Sequence, residues 1–332
     1  MVSIKDIAKK CGVSVATVSK ALNNQSDVSA ATKTKIQKVA AEMGYSVNVA
    51  ARALRTNRTY NLGVLFADDR AGLSHEYFSL ILESFQREAE RKGYDLTLIN
   101  HAIAGQKTTY LKHAEYRNLD GVAIITADFS DPEIVELAES KLPVVTIDHI
   151  FDRCPGVLSD NSRGVEALVR YIHSMGHRKI AYIHGDWTNV TSERVSGFYK
   201  STRQLGLDIP EHYVVRGKYH DIEASAEATK ILLDLEDRPT CIIYPDDYSY
   251  IGGLDEITSR GMTVGNEISA AGYDGINMAK FMNLTTYEQN TSDLGKLAAS
   301  KLIRIIEKPD RIPEHVIVTG KLIEGKTVRK LL

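Results

Sequence analysis

The sequence contains little cysteine and no long hydrophobic run. Its 332 residues include three cysteines, Cys11, Cys154 and Cys241, which lie far apart and in no metal-ligand spacing. Reduced, buried thiols are therefore predicted rather than a disulfide framework. No stretch approaches the roughly 18 uninterrupted apolar residues that a membrane span needs, and Met1 to Gly12 has no apolar signal-peptide core. We therefore expect a cytoplasmic protein with no membrane partner.

Sequence motifs of catalysis and cofactor binding are also missing. The chain has no Walker loop, no Rossmann glycine fingerprint and no nucleophile elbow. Among its ten histidines there is no HExxH pattern. His173 and His177 are four residues apart, but no third ligand accompanies them, which favours a structural role. The sequence therefore predicts no enzymatic activity, no cofactor and no metal site.

Charge is distributed unevenly along the chain. Residues 1–58 contain ten Lys and Arg against three Asp and Glu, a balance of +7, and because the whole chain carries -2 the remainder carries -9. A small basic unit on a larger acidic body is typical of a DNA-binding head joined to a body that avoids DNA. From charge alone, a solvated basic face explains the pattern equally well, so the residue pattern has to decide.

Two short helices around a glycine turn are predicted at the start of the chain. Ser3 with Asp6 three residues later is typical of an N-cap pair, and Gly12 suits the left-handed position that ends such a helix. Ser14 can cap a second helix over 15–22. Two short helices joined in this way form a helix-turn-helix, whose second helix presents its N-terminal residues to the major groove.

The second helix carries the residues predicted to face the groove, which are Val15, Ala16, Ser19 and Lys20. Lys20 can donate to guanine O6 and N7, whereas Val15 and Ala16 can make only apolar contacts, for example with thymine methyl groups. A third helix, about 30–44, is expected to close the bundle.

This segment resembles the headpiece of the lactose-repressor/galactose-repressor (LacI/GalR) family. The matching residues are Ile4-Lys5-Asp6-Ile7-Ala8, Gly12-Val13-Ser14-Val15-Ala16-Thr17-Val18-Ser19-Lys20-Ala21-Leu22-Asn23, Val28-Ser29, Thr32, Gly44-Tyr45, Asn48, Ala51 and Leu54-Arg55-Thr56. So long an ordered match is specific, unlike a single short motif. The residues predicted to contact DNA are Ser14, Val15, Ala16, Thr17, Ser19, Lys20, Asn23, Tyr45, Asn48 and Leu54.

Residues 47–59 are expected to form a linker that contains a short hinge helix. Asn48 can cap this helix, which is too short to be stable alone in water. In the family that the chain resembles, the segment orders on DNA and its leucine wedges into the minor groove, which implies that role for Leu54. Packing of Leu54 between domains is the alternative. The family usually has proline where this chain has Val47.

From Asn61 onward, apolar segments alternate with amphipathic helical patterns. Alternation with short loops predicts parallel, doubly wound sheets, and seven or more such units suggest two similar subdomains. The predicted strands are Leu62–Ala67, Asp95–Ile99, Gly121–Thr126, Val144–Asp148, Ile180–His184, Thr240–Tyr244 and Ile268–Ala271. The predicted helices are 76–92, 131–140, 162–175, 190–205, 221–235, 247–260 and 290–306.

The family resemblance extends over this core. It rests on Leu62-Gly63-Val64, Asp120-Gly121, Gly176-His177-Arg178-Lys179-Ile180, Glu193-Arg194, Gly197-Phe198, Gly272-Tyr273-Asp274, Leu284-Thr285-Thr286 and Gln289. It implies a periplasmic-binding-protein-like core in which the chain crosses three times between subdomains. The expected fold class is α/β, with a small all-α helix-turn-helix headpiece and two doubly wound parallel α/β subdomains. The expected domains are 1–46 (headpiece), 47–59 (hinge and linker), 60–158 plus 287–312 (first subdomain) and 159–286 plus 313–332 (second subdomain).

A ligand of such a core binds where the carboxyl ends of the strands face each other across a cleft. Carboxylates, an arginine fork and aromatic faces at those ends suit a polyhydroxylated ligand such as a sugar. The residues predicted to contact it are Tyr77, Phe78, Asp148, Trp187, Arg194, Tyr219, Asp247 and Asp274. The resemblance places Arg194 and Asp274 at effector-contacting positions of the family. For any single aspartate, a helix cap or an interdomain hydrogen bond is the alternative.

Two features depart from the family pattern. The loop from Asp69 to Glu76 is longer than usual, which predicts a remodelled cleft mouth. Asp246 stands where an Asn often precedes the Asp, which creates an Asp246-Asp247 pair. That pair is compatible with a cationic or amino-sugar ligand, and equally with Asp246 simply facing solvent.

A ligand-responsive transcription regulator accounts for the basic head, the hinge and the cleft together. The expectation is a homodimeric repressor on a palindromic DNA operator, with a sugar-like effector modulating its affinity. A sugar-binding transport protein would explain only the core and would need an export signal, and a sugar-modifying enzyme would need an acid/base pair beside the cleft. A purine, a phosphosugar or a protein corepressor stays open as the signal, as do the direction of the response and the choice between dimer and tetramer.

Overall fold

A computed structural model describes residues 2–22, 25, 27–45, 58–67, 72–309 and 313–331. The chain divides into two compact units, Met1–Thr59 and Tyr60–Leu332. We refer to them as the headpiece unit and the core unit.

The headpiece unit contains three helices, α1 (Ile4–Cys11), α2 (Val15–Leu22) and α3 (Ala30–Glu42). The predicted cap of α1 is confirmed, because the Ser3 hydroxyl accepts a hydrogen bond from the Asp6 amide at 3.4 Å and the Asp6 carboxylate accepts one from the Ser3 amide at 2.9 Å. The helices pack around a small apolar core made of Ile7, Ala8, Cys11, Val18, Ala21, Ile36 and Ala40. Alanines in this core let the helices approach closely.

The turn between α1 and α2 depends on backbone conformation. Gly12 ends α1 with φ of 68°, the left-handed conformation that the sequence predicted. Ser14 then begins α2, since its hydroxyl accepts a hydrogen bond from the Thr17 amide at 3.0 Å. The described part of the headpiece is therefore a helix-turn-helix closed by a third helix.

The core unit contains two six-stranded sheets. In spatial order, the first consists of β13 (Val316–Val318), β7 (Gly156–Ser159), β6 (Val144–Ile147), β5 (Gly121–Ala127), β1 (Asn61–Ala67) and β2 (Asp95–Ile99). The second consists of β14 (Lys321–Ile323), β12 (Thr285–Glu288), β11 (Ser269–Asp274), β10 (Cys241–Ile243), β8 (Ile180–His184) and β9 (Val214–Arg216). Neighbouring strands are parallel in both sheets, except that β14 runs antiparallel to β12. The expectation of two parallel, doubly wound subdomains is confirmed.

Helices connect these strands and cover the sheets. They are α4 (Glu76–Arg91), α5 (Tyr110–Tyr116), α6 (Pro132–Glu139), α7 (Asn161–Ser174), α8 (Asn189–Gln204), α9 (Ile222–Leu233), α10 (Ser249–Ser259), α11 (Asn277–Phe281) and α12 (Thr291–Glu307). Short 3-10 turns cover Gly72–Ser74 and Glu211–Tyr213, and a two-residue hairpin joins β3 (Ala102–Ile103) to β4 (Gln106–Lys107). The longer predicted helices all occur, with ends that differ by one or two residues.

Helices α4 and α12 pack against each other and bury their apolar faces on the first sheet. Phe85, Leu294 and Leu302 are fully buried between them and the strands. Gly295 makes this close approach possible, because a β-carbon there would lie 2.2 Å from the Ile81 carbonyl oxygen. The two helices therefore cover one face of the first sheet. Helix α12 also leads along the chain to the C-terminal strands β13 and β14.

The chain passes between the two sheets after β7, after β12 and after β13. The predicted subdomain limits need one correction, since residues 313–332 do not all belong to the second subdomain. Val316–Val318 pairs in parallel with Val157, Leu158 and Ser159 at the edge of the first sheet. A three-residue strand has too little alternation to be located by pattern, which is why the sequence misplaced it.

Candidate DNA interface and ligand cavity

The N-terminal half of α2 presents an accessible surface. Val15 is 45% exposed, and Ser14, Ala16 and Lys20 are also exposed, while Thr17 and Ser19 are half-buried. An exposed valine at the start of a helix in this motif can contact the floor of a major groove. These residues of α2 are therefore at least partly accessible, and their contact with DNA stays a prediction.

Lys20 already has a partner within the headpiece. Its ammonium group lies 2.5 Å from the Asp27 carboxylate, and the ion pair lowers the pKa of Asp27. The predicted contact of Lys20 with a base or a phosphate would therefore compete with this ion pair. Such an exposed ion pair is weak and easily screened by salt.

The remaining predicted DNA contacts differ in their placement. Tyr45 packs against the headpiece core and is half-buried. It therefore contributes to the fold, and part of the residue is still accessible to solvent. Asn23, Asn48 and Leu54 lie outside the described residues, as do Val47 and most of the expected hinge. Their predicted roles stay predictions.

A cavity of about 880 Å³ opens at the carboxyl ends of the strands of both sheets. Its size is within the range of roughly 300–1,000 Å³ that is typical of small-molecule sites. Seven of the eight residues predicted for the ligand site line it, namely Tyr77, Phe78, Asp148, Trp187, Arg194, Tyr219 and Asp274. The two subdomains therefore bring together most of the predicted set.

A hydrogen-bonded network of buried and half-buried side chains connects the two subdomains beside this cavity. The Tyr77 hydroxyl donates to Asp148 at 3.1 Å and lies 3.4 Å from the side-chain oxygen of Gln289. Gln289 in turn donates its amide to Asp274 at 2.6 Å. The Ser159 amide donates to the other Asp148 oxygen at 2.6 Å. Both carboxylates are thus held in fixed orientations at the wall of the cavity.

Arg194 is fixed just as firmly on α8. Its guanidinium donates to the Asn161 side chain at 2.8 Å and to the Pro245 carbonyl at 2.9 Å, and it lies 3.7 Å from the centre of the Tyr273 ring. The residue is 4% exposed and lines the cavity. A buried arginine with two nitrogens bonded to protein is a preorganised donor for an oxygen-rich ligand.

Aromatic rings line the cavity from both sides. In the first subdomain, the Phe129 and His149 rings stack with centres 4.1 Å apart. In the second, Tyr219 is positioned by a hydrogen bond between its hydroxyl and Thr191 at 2.9 Å, and Trp187 is 67% exposed. Flat apolar faces next to carboxylates suit a ring with an apolar face and polar edges.

Some of the strained backbone of the core unit lies at the same cavity. Three residues that line it have left-handed conformations without being glycine, with φ of 54° at Asp148, 57° at His220 and 106° at Asp274. Such conformations cost roughly 1–3 kcal/mol each and are retained mainly at functional sites.

Burial alters the acidity of the two cavity carboxylates. It raises the pKa of Asp274 to about 7, against the opposing effect of Arg194. It also raises the pKa of Asp148, although the Ser159 amide lowers it. A ligand hydroxyl that donates to either carboxylate therefore favours its ionised form.

We expect Asp274→Asn to remove a pH-dependent destabilisation. In the folded wild-type protein the pKa of Asp274 is about 7, whereas the ordinary value is 3.8. The unfolded chain therefore releases this proton at a lower pH than the folded chain does. As a result, the free energy of unfolding of the wild type falls as pH rises from about 4 to 7. Over that window the loss is roughly 4 kcal/mol. Thermal unfolding at pH 5 and pH 8 should show the variant gaining several degrees over wild type at the higher pH.

The exposed carboxylate Asp255 provides the matched control, and Asp255→Asn should follow wild type at both pH values. The titratable groups that interact with Asp274 include Arg194, Asp246, Asp247 and His220, and all four are kept in the variant. If the unfolding midpoints of Asp274→Asn and wild type differ by the same amount at pH 5 and at pH 8, the pKa of Asp274 is not raised in the folded protein.

The structure places Asp247 outside the cavity. Its oxygens accept hydrogen bonds from the amides of Gly275 and Ile276 at 2.7 and 3.0 Å and from the Thr286 hydroxyl at 2.6 Å. The residue is fully buried, and burial raises its pKa well above the ordinary value. Asp247 therefore joins β10, β11 and β12, and the prediction that it contacts the ligand needs correction.

Asp246 is likewise not on the surface. It is 1% exposed and accepts hydrogen bonds from the amides of His220 and Ser249 and from the Ser249 hydroxyl. The interpretation that it faces solvent is wrong.

Fifteen of the 22 residues that line the cavity were not predicted, and Phe129, His149, His220 and Gln289 are among them. Phe129 and His149 come just after β5 and β6, so the rule that identified Asp148 could have found them. Gln289 follows β12, a strand of four residues that was missed. His220 lies four residues beyond β9 in a loop that no local pattern marks.

Comparison with known proteins decides the family. The model for periplasmic binding proteins and the sugar-binding domain of the LacI family matches residues 59–326. The model for bacterial regulatory proteins of the lacI family matches residues 3–48. The chain belongs to the LacI family of bacterial regulatory proteins.

Relatives of this LacI-family protein match over their whole length. The transcriptional repressor PurR of Escherichia coli O139:H28 is 30% identical over 99% of this chain and 97% of its own. The probable transcriptional repressor ExuR of Bacillus subtilis is 28% identical over 100% of this chain and 99% of its own. The interpretation as a transcription regulator, and not an enzyme, is confirmed.

Solved structures of similar proteins confirm the fold. The lac repressor dimer bound to operator and an anti-inducer is 22% identical, with a TM-score of 0.76 over 99% of both chains. The regulator CelR in complex with cellobiose is 21% identical, with a TM-score of 0.70 over 98% of this chain and 100% of its own. Within the described residues of this LacI-family protein, no helix is long and apolar enough to span a membrane.

Proposed function

We propose that this protein is a cytoplasmic repressor whose affinity for operator DNA is set by a sugar or sugar derivative bound in the cavity between its subdomains. The observation that carries the ligand class is the cavity wall itself. Two fixed carboxylates, Asp148 and Asp274, stand with the fixed donor Arg194 next to exposed aromatic faces. Carboxylates accept from vicinal hydroxyl groups, and an arginine fork donates to hydroxyl or carboxylate oxygens.

Two similar proteins support this ligand class. CelR has been solved with cellobiose, and a LacI-family regulator from Enterococcus faecium with ribose. Each of these structures is only 21% identical to this chain, so the residues of the cavity have to carry the proposal. A purine is the runner-up, since the stacked pair of Phe129 and His149 could also hold a planar base.

For DNA binding we propose a homodimer on a palindromic operator. The similar lac repressor is a dimer bound to its operator. Two copies of α2 would enter successive major grooves, with contacts from Ser14, Val15, Ala16, Thr17, Ser19, Lys20, Asn23, Tyr45 and Asn48, and Leu54 would act as the minor-groove wedge. A ligand that fits one arrangement of the subdomains better than the other shifts the affinity for DNA by the same differential free energy.

The experiment that tests the proposal has two steps. Selection from random duplex DNA with the full-length protein should yield a palindrome. Titration of that operator complex with neutral sugars, sugar acids, sugar phosphates, amino sugars and purines should then identify one sugar class that changes affinity by roughly 5- to 150-fold. A response to purines alone would replace the sugar assignment. Selection of a non-palindromic site by a monomer would overturn the dimer.

A further inference from the structure

Two histidines and an aspartate come together beside the cavity. His75 directly precedes α4 in the first subdomain, whereas His220 and Asp246 lie in loops of the second, after β9 and β10. One ligand atom from each of the three side chains lies within 4.8 Å of the others. The two imidazole ring centres are 3.8 Å apart, and Nδ1 of His220 is 3.6 Å from an oxygen of Asp246.

We propose that His75, His220 and Asp246 form a binding site for a divalent transition-metal ion such as Zn²⁺, which would bridge the two subdomains. Two imidazoles and one carboxylate are a common protein ligand set for Zn²⁺, with a fourth position open to water or to a bound molecule. Bonds of about 2.0–2.1 Å in a tetrahedron hold neighbouring ligand atoms about 3.3 Å apart. The observed separations need only a side-chain adjustment of about 1.5 Å at the widest.

The second subdomain fixes two of the three ligands in advance. Asp246 accepts hydrogen bonds from the His220 amide at 3.0 Å, the Ser249 amide at 2.7 Å and the Ser249 hydroxyl at 2.8 Å. A carboxylate has about four acceptor positions, and the fourth faces Nδ1 of His220 at 3.6 Å. An ion would bind between these two side chains. The hydrogen bond to the His220 amide also holds that residue in its left-handed conformation, with φ of 57°.

Aromatic rings surround the cluster. The Phe78 ring centre is 5.5 Å from that of His75 and 5.7 Å from that of His220, and the Tyr248 ring lies 5.9 Å from His75. His75 is 5% exposed. An apolar shell strengthens the attraction between a cation and Asp246, and nitrogen ligands select Zn²⁺ over Mg²⁺ or Ca²⁺, which prefer oxygen.

The placement of the ligands predicts what the ion does. Since His75 belongs to one subdomain and the other two ligands to the other, the ion is bound fully only when the subdomains keep this separation. A neighbouring contact also joins the two subdomains, because the Glu76 carboxylate of the first accepts hydrogen bonds from the amide and the side chain of Asn277 in the second. Bound metal would therefore stabilise the arrangement in which the cavity is closed on this side.

The test uses the full-length protein after treatment with EDTA and dialysis. Calorimetric titration with ZnCl₂ alone should show one ion per chain, and Co²⁺ should give the visible absorption of a tetrahedral site. Zn²⁺ should raise the midpoint of thermal unfolding by several degrees, and Mg²⁺ should not. His75→Gln and His220→Asn should each weaken Zn²⁺ binding at least about tenfold, and asparagine is chosen because it tolerates the left-handed backbone.

His212→Gln is the matched control, since His212 is an exposed histidine of the same unit and takes no part in the cluster. It should bind Zn²⁺ like wild type. If Zn²⁺ affinity and the Co²⁺ spectrum are the same in His220→Asn as in wild type, the site does not exist. Circular dichroism establishes that each variant is folded, and should His75→Gln fail this check, His220→Asn decides alone. No sugar is needed, so the outcome is independent of the effector assignment.

Discussion

Arg194→Ala should lose the response to the effector while retaining operator binding. The guanidinium is the one buried cation among the described residues that line the cavity, and alanine removes a charged donor that no neighbour can replace. Charge-assisted hydrogen bonds are worth roughly 1.5–3 kcal/mol each, so effector affinity should fall about 100-fold. Calorimetric titration with the sugar found by the screen measures this loss, and operator affinity without ligand should stay within about twofold.

Two further variants make this result specific. Arg163→Ala removes an arginine of α7 whose side chain is 75% exposed, and it should leave both affinities unchanged. Arg194→Lys keeps the charge but cannot reach Asn161 and Pro245 in the same fork geometry, so it should recover little of the effector affinity. Wild-type effector affinity in a folded Arg194→Ala protein would rule out the cavity as the effector site.

Asp247→Ala should destabilise the core severely, whereas Asp247→Asn should be tolerated. Alanine leaves two buried amides and the Thr286 hydroxyl without their acceptor, which costs about 3–5 kcal/mol. Asparagine can accept from both amides and donate to Thr286, and it resembles the protonated acid that burial favours. Thermal unfolding should show a fall on the order of 10 °C for alanine and of about 2 °C for asparagine.

Effector binding separates this structural role from the role predicted for Asp247 by the sequence. The folded Asp247→Asn protein should bind the effector as wild type does, because its side chain packs over Gly272 and not into the cavity. Asp255→Ala, an exposed change in α10, serves as the stability control. A large loss of effector affinity in Asp247→Asn would restore Asp247 to the ligand site.

The sequence identified the site residues that directly follow long strands. Asp148 comes just after β6 and Asp274 ends β11, and in parallel sheets those ends meet at one edge. Asp247 satisfied the same rule and yet lies inside. Strand β10 ends at Ile243, four residues before Asp247. The alternation of side chains applies only within a strand, so the sequence could not predict in which direction the Asp247 carboxylate points.

The contacts between distant segments were the other part that the sequence did not reveal. His220 is positioned by Asp246, which lies 26 residues away, through a loop that follows a strand of three residues. His75 reaches the same place from the other subdomain. Neither histidine has a local pattern around it, since the juxtaposition arises from the packing of the two subdomains. Helices α1 and α2, by contrast, are specified by caps three residues apart, and these the sequence predicted.

The interleaved strands of the core unit also determine the order in which parts of the protein can fold during synthesis. The first sheet is incomplete until Val316–Val318 has been made, and the second until Lys321–Ile323 has. At about 5–20 residues per second, a ribosome needs on the order of half a minute to proceed from α3 to these strands. The headpiece helices, whose core is contiguous in sequence, can fold throughout that interval. A newly made chain can therefore form its helix-turn-helix well before the sheets that enclose the cavity are complete.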